Sequence, residues 1–189
     1  MTGSSSRFTR FTYHLNEDNR ITLVDNAWLE FARSTNAQSL LDANLIGTSV
    51  WNFIASAEVR VLYQAIYDKV RRTLAPMTLG FRCDGPDVRR FMSLEISMGD
   101  DYNLQHTSRL LKAEPREPIP WFNPAESQQT NPDNPLLMCS WCCRIKADKG
   151  WEEIEQAMVS LDLVEPTMPP AFRQGICHDC GNRVEYQLD

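Results

Sequence analysis

Two cysteine pairs with the same internal spacing constrain the fold of this chain more than any other feature. Cys139 and Cys142 form the first CxxC unit, and Cys177 and Cys180 form the second. A tight CxxC turn brings two sulfurs to one point, so two such turns can supply four thiolates to one tetrahedral metal ion. The segment that carries them is too short to bury a large core. A bound metal would therefore supply much of its folding free energy.

The four cysteines admit more than one chemistry. Zinc suits them best, because it accepts four thiolates in a tetrahedron at Zn–S distances of ~2.3 Å. An iron–sulfur cluster can use the same ligands. A redox pair or ordinary buried thiols are further alternatives, although paired CxxC units in a reducing compartment more often bind metal. We predict structural zinc, with iron–sulfur ligation left open.

Two of the six cysteines fall outside this set. Cys143 follows Cys142 directly, and its use as a ligand would change the first spacing to CxxxC. We therefore predict that Cys143 is a thiol beside the metal rather than a ligand. Cys83 lies in phase with the apolar residues of a predicted strand, which indicates a small buried hydrophobe rather than a catalytic thiol.

Length and charge limit the classes of function. The 189 residues suit one ordinary domain with a small appendage, and the net charge is −6. Residues 139–189 alone carry a net charge of −4, which disfavours direct nucleic-acid binding. No apolar run approaches the ~20 residues of a membrane-spanning helix, and the N-terminus has no apolar signal-peptide core. We expect a cytoplasmic protein that does not insert into a membrane.

A cluster of five arginines between 71 and 90 concentrates positive charge in a short span. Such a cluster can bind an anionic ligand or an acidic partner surface. Asp84 and Asp87 lie among the arginines and weaken the positive field. We therefore predict an ordinary solvated surface.

Residues 1–112 have the pattern of a mixed α and β domain. Two short β-rich runs flank the turn at 16–19, and Asp25 can cap a following helix. The clearest helix covers 57–74, where apolar residues recur at three- and four-residue steps. Three strands follow, and in the second of them apolar and polar residues alternate from 92 to 98, as in a half-buried antiparallel strand.

Residues 113–135 contain six prolines and many polar residues, which predicts an extended linker. The predicted organisation is a domain over 1–112, this linker, and a four-cysteine module over 136–189. Within the module, residues 151–163 have the pattern of an amphipathic helix.

The element order and the amino-acid sequences of several segments resemble those of a PAS domain. The segments are DNRITLVDNAWLEFA at 18–32, GTSVWNFI at 47–54 and RCDGPDVRRFM at 82–92. Together with the cysteine tail they resemble a bacterial family of small PAS-like proteins, whose tail often reads CxWCKxI, a Trp-Glu helix and SHGICxxC. The resemblance implies an α+β fold. It consists of a PAS-like five-stranded antiparallel sheet with a helical insertion, plus a small zinc-ribbon-like C-terminal module.

The tail departs from these relatives at two positions. Gln174 stands where the family often has His, so four-cysteine ligation becomes the simplest arrangement. Cys143 stands where the family tends to have Lys. Cys143 is therefore the thiol whose role the resemblance leaves open.

The resemblance implies sensing and signalling rather than catalysis. PAS domains bind small molecules or partners in a cavity between sheet and helices, and they commonly dimerise. The sequence has no phosphate-binding Gly loop, no HExxH motif and no arguable triad of nucleophile and base. We expect a stand-alone regulatory protein, not an enzyme, that acts through an unidentified protein partner or as a homodimer.

A PAS-like fold would enclose a cavity, and seven residues are candidates to line it. Six of them could equally fill a close-packed core. His106 or His14 could ligate haem, although a lone histidine is more often a core residue. The alternative functions are therefore a haem- or small-ligand sensor and a thiol- or zinc-based redox-responsive transcription regulator. The seven candidates are Trp28, Phe31, Trp51, Phe53, Ile66, Met92 and His106.

Overall fold

The computed structural model describes most of the chain. The first nine residues and much of the predicted linker lie outside it. For residues 131–134 it describes the backbone alone. The described residues are 10–35, 41, 44–119, 121–122, 131–163 and 168–189.

Five antiparallel strands form the first sheet, in the spatial order β2-β1-β5-β4-β3. β1 and β2 form a hairpin, and β3, β4 and β5 form two further hairpins after a helical segment. The pairing of β1 with β5 joins the two groups. The predicted five-stranded antiparallel sheet with helices between its second and third strands is confirmed. The strands are β1 (Arg10–Leu15), β2 (Ile21–Val24), β3 (Met77–Arg82), β4 (Val88–Met98) and β5 (Leu104–Pro115).

Among the described residues between β2 and β3, two α-helices have defined bounds. Helix α1 (Asn26–Ser34) begins after Asp25, whose Oδ1 accepts a hydrogen bond of 2.7 Å from the Trp28 amide. Helix α2 (Ala57–Thr73) begins after Ser56, which caps the Val59 amide in the same way. A short 3₁₀ turn over Val50–Phe53 lies between them.

The core of the first sheet continues into the cysteine-containing part of the chain. From β4, Leu94 and Ile96 are buried against Ile66 of α2, as the alternation in that strand predicts. Trp141 and Val184 belong to the same buried cluster, together with three of the paired cysteines. The two parts therefore share one hydrophobic core.

A smaller mixed sheet carries the cysteine-containing part, in the order β8-β7-β6-β9. β6 pairs with β7 in antiparallel fashion and with β9 in parallel fashion. Within the part that the structure describes, this sheet is accompanied by helices α3 (Ile154–Ser160) and α4 (His178–Leu188). None of the helices in the described part of the chain has the length and apolar character needed to cross a bilayer. The strands are β6 (Asn131–Cys139), β7 (Ile145–Ala147), β8 (Gly150–Glu152) and β9 (Pro170–Gly175).

The structure differs from the predicted linker at both ends of the segment 113–135. β5 extends to Pro115 and β6 begins at Asn131. β6 tolerates its prolines because its pairing with β9 is interrupted between Asn131 and Leu136. Between these strands, Ile119 and Phe122 are buried in a second apolar cluster with Ile145 and Ile154.

One local expectation in the cysteine module needs correction. The helix predicted over 151–163 covers only 154–160, because Trp151 and Glu152 pair with β7 as part of β8. Gly175 lies where β9 pairs with β6. A Cβ at Gly175 would lie 2.7 Å from Leu137 Cδ1, so a larger residue there would have to displace the end of the Leu137 side chain.

A buried network of ion pairs joins the two sheets. Asp84, at the end of β3, contacts both Arg82 and Arg116, and its carboxylate is 1% exposed. Arg82 reaches across to Glu153 at 2.6 Å, and Arg89 pairs with Glu155 at 2.7 Å. The solvated surface predicted for the arginine cluster is therefore wrong for Arg82, which is 9% exposed.

Candidate metal centre and cavities

The four paired cysteines come together at the junction of the two sheets. The sulfurs of Cys139, Cys142, Cys177 and Cys180 all lie within 4.8 Å of one another. The sulfurs of Cys142 and Cys177 are 3.7 Å apart. A tetrahedron with Zn–S bonds of ~2.3 Å has sulfur–sulfur edges of ~3.8 Å, so the spacing suits a metal ion held by four thiolates.

Two similar backbone turns position these sulfurs. Cys139 ends β6, and the Cys143 amide donates a 2.9 Å hydrogen bond to its carbonyl. Cys177 is the N-cap of α4, and the Gly181 amide donates a 2.9 Å bond to its carbonyl. The Cys177 side chain caps no backbone amide, so its sulfur is free to face the other three. Negative thiolates at this helix N-terminus are further stabilised by the helix dipole.

The electrostatics of the cluster favour a bound cation. Hydrogen bonds from the Cys142 and Cys180 thiols hold the pKa of Cys139 far below its usual value, although burial alone would raise it. The same Cys139–Cys142 hydrogen bond raises the pKa of Cys142. Four thiolates cannot all ionise in a buried cluster unless a cation compensates their charge. The residues present therefore fit a metal such as zinc.

Two groups outside the ligand set also contact the sulfurs. The Cys177 amide donates to Cys139 Sγ at 3.4 Å, and Arg183 Nη2 donates to Cys180 Sγ at 3.0 Å. Such donors reduce the negative charge on a metal-bound sulfur. Sequence reasoning did not identify Arg183. Its position three residues after Cys180 on a helix is the signal that could have indicated it.

Cys143 lies beside the cluster without joining it. Its backbone has a φ of 58°, a left-handed conformation, and its Sγ is 3.5 Å from the Arg82 carbonyl. Burial is the main reason that the pKa of this thiol rises to about 12. The orientation agrees with the prediction of a thiol outside the ligand set.

Two cavities lie on the helical side of the first sheet. The first has a volume of about 270 Å³, and its wall includes Ser140 and Gln174 from the cysteine-containing part. The second, about 580 Å³, is a groove between α1 and the segment from Phe81 to Arg90. Tyr13, Trp28 and Tyr63 line both and separate one from the other.

The seven predicted cavity residues are divided between cavity walls and core. Trp28 and Phe53 line the 270 Å³ cavity, and Trp28 and Phe31 line the groove. Four residues line neither of these cavities, because they pack in or against the core. These four are Trp51, Ile66, Met92 and His106.

His106 is completely buried among aromatic side chains. Its Nε2 lies 3.1 Å from the Tyr67 hydroxyl, and Tyr13 stacks on its ring at a centroid distance of 4.3 Å. Burial lowers the pKa of His106 to about 3. The ring is therefore neutral in the folded protein, where it packs as a core residue against Tyr13 and Tyr67.

We expect His106 to make the protein less stable in mild acid. Between pH 6.5 and about pH 4 the unfolded chain binds a proton at this position, whereas the folded chain does not. The free energy of unfolding should therefore fall by on the order of 3 kcal/mol across this range. His106→Gln should remove this contribution. Urea titrations of both proteins at several pH values give the free energy of unfolding as a function of pH. If the plots for wild type and His106→Gln are parallel, the proposed contribution of His106 is contradicted.

Comparison of the chain with protein-family models and with curated proteins finds no match to either.

Proposed function

We propose that this protein is a PAS-like regulatory protein that holds a structural zinc ion and acts by binding another protein. One observation carries the proposal. A five-stranded antiparallel sheet in the order β2-β1-β5-β4-β3, with helices inserted after β2, forms a cavity whose wall is completed by the cysteine-containing part. This arrangement agrees with the PAS-like architecture that the sequence resembles.

Zinc is the metal that the site supports best. The four ligands are all sulfur, and Cys139, Cys177 and Cys180 are buried, which suits a closed structural site. An iron–sulfur cluster could use the same ligands. A colourless purified protein with about one zinc per chain would favour zinc over iron.

The character of the cavities supports binding rather than catalysis. The 270 Å³ cavity is lined by apolar and aromatic side chains, with Ser140, Gln174 and the tyrosines as its polar groups. No lining residue within the described part of the chain is charged at neutral pH. Such a site can hold a small molecule that changes the packing of the fold, and a partner could then detect that change.

Two other functions have less support. A haem sensor would need an accessible histidine facing a cavity. His106 is buried against Tyr13 and Tyr67, and the half-buried His14 on β1 lines neither of the two cavities described above. A redox-responsive regulator would release its metal when its thiols are oxidised. Three of the four sulfurs are buried, which reduces their access to oxidants.

We expect the zinc-loaded protein to bind a specific partner. Affinity capture from native cells should enrich one protein, and titration with that purified protein should give a saturable complex. Cys177→Ser, which removes a metal ligand, should abolish the complex. Self-association is the other way in which the protein would act through protein contacts, and analytical ultracentrifugation tests it. A zinc-loaded monomer without any saturable partner would contradict the proposal.

A further inference from the structure

The 270 Å³ cavity is formed jointly by the two parts of the chain. Most of its wall comes from β1, β2 and the helical segment, including Val59 and Tyr63 of α2. Ser140 and Gln174 close the remaining side from the turn after β6 and from β9. The Gln174 Oε1 accepts a 3.0 Å hydrogen bond from the Ala55 amide, which fixes this side against the helical segment.

Ser140 is an unusual component of this wall. It lies between Cys139 and Cys142, and its amide donates a 2.9 Å hydrogen bond to the Gly175 carbonyl. Its Oγ is buried and has no hydrogen-bond partner among the described residues. An unpaired buried hydroxyl costs free energy. In this rotamer the Oγ is closed off from water-sized atoms, and rotation about χ1 would turn it toward the cavity. A bound molecule with a matching polar group would then remove that cost.

The rest of the lining indicates the type of molecule. Four aromatic side chains contribute to the wall, and aromatic rings pack well against one another. An apolar cavity of about 150 Å³ accepts benzene, so 270 Å³ has room for one or two rings. A charged molecule would be expensive to bury here, because the lining residues that the structure describes carry no opposite charge. The four aromatic residues are Tyr13, Trp28, Phe53 and Tyr63.

We propose that this cavity binds a neutral aromatic molecule of one or two rings whose single polar group hydrogen bonds to Ser140 Oγ. The inference rests on the proposed function, because it names the class of ligand for the regulatory fold. Ser140 lies within the first metal-binding turn, so ligand binding and metal binding are coupled through that turn. By linkage, a molecule that binds more tightly to the metal-loaded protein must also strengthen metal binding.

The test uses 2-naphthol, which has two rings and one hydroxyl, with naphthalene and 2-naphthoate as comparisons. Calorimetric titration of the zinc-loaded full chain should give one 2-naphthol per chain. Naphthalene should bind roughly three- to tenfold more weakly, since it lacks one hydrogen bond. The anionic 2-naphthoate should bind still more weakly than naphthalene.

Two variants separate the hydrogen bond from the cavity. Ser140→Ala should reduce 2-naphthol affinity to that of naphthalene and leave naphthalene affinity unchanged. Ser97→Ala, a matched change on β4 outside the cavity lining, should alter neither affinity. Val59→Phe fills the cavity from α2 and should prevent both from binding. Circular dichroism and zinc content verify that each variant is folded.

A second measurement tests the coupling. Saturating 2-naphthol should slow zinc transfer to a chromogenic chelator in the wild-type protein and have less effect in Ser140→Ala. Unchanged transfer in the wild type would overturn the coupling. Equal 2-naphthol affinity in wild type and Ser140→Ala would overturn the role of Ser140. If no probe binds a protein that holds zinc and binds its partner, the ligand inference is wrong and the proposed function stands. If 2-naphthol binds a protein that lacks both zinc and a partner, the ligand inference stands and the proposed function is wrong.

Discussion

Replacing Cys177 by Ser is expected to remove the bound metal and to destabilise the whole protein. Cys177 is buried, and its sulfur lies 3.7 Å from that of Cys142 at the centre of the cluster. A ligand present at 1,000 times its dissociation constant stabilises the folded state by about 4 kcal/mol. We compare the two proteins at a free zinc concentration about 1,000 times the wild-type dissociation constant. Under that condition the free energy of unfolding of the variant should be lower than that of the wild type by at least about 4 kcal/mol.

Elemental analysis and urea unfolding together measure this effect. Wild-type protein should contain about one zinc per chain, and the variant close to none. Cys143→Ser is the matched control, because its thiol lies next to the cluster but is directed to the Arg82 carbonyl. It should retain the metal. Metal-free wild-type protein with full stability, or equal metal loss in both variants, would show that the cluster is not a four-cysteine metal site.

The loss of stability should extend beyond the cysteine module, because the module and the first sheet share one hydrophobic core. Trp141 stacks on Tyr63 of α2 at a centroid distance of 5.0 Å, and the Arg82 amide donates to the Trp141 carbonyl at 2.8 Å. Without metal, Trp141 loses the turn that holds it. We expect one cooperative unfolding transition in the wild type, followed equally by tryptophan fluorescence and far-ultraviolet circular dichroism.

The parts of this structure that depend on local patterns could be predicted from the sequence. In β4, Met92, Leu94 and Ile96 are buried because side chains of a strand alternate between its two faces. The cap at Asp25 also depends on residues within one helical turn. The equal spacing within the two CxxC units indicated one site although the units are distant in sequence, because each turn has the same geometry.

The features that depend on contacts between distant segments could not be predicted. Arg82 and Arg116 lie in different segments, and only the fold reveals that both contact Asp84. Ile119 lies in a proline-rich run that indicates a linker, but its side chain is buried against a sheet formed later in the chain. Ser140 appears in the sequence only as a residue of a CxxC turn, and its place in the cavity wall depends on how the helical segment packs against that turn.

Replacing Asp84 by Ala is expected to lower the free energy of unfolding by about 3–5 kcal/mol. This is the usual cost of removing one partner of a buried ion pair and leaving the other charge buried. Asp84 is 1% exposed, and its removal leaves Arg82 and Arg116 buried at 9% and 4% exposure without their shared carboxylate. The Arg90 amide also loses its acceptor, Asp84 Oδ1 at 3.3 Å. Urea unfolding of zinc-loaded protein measures the change.

Glu114→Ala provides the control for removing one carboxylate, because Glu114 pairs with the exposed Lys112 on β5. That variant should unfold at nearly the wild-type urea concentration, since solvent already weakens an exposed pair. Glu153 links Arg82 to Arg144 in the cysteine turn, so the loss of Asp84 should also loosen the metal site. We therefore expect faster zinc transfer to a chelator in Asp84→Ala than in Glu114→Ala. Equal stabilities and equal transfer rates would mean that the network does not hold the two sheets together.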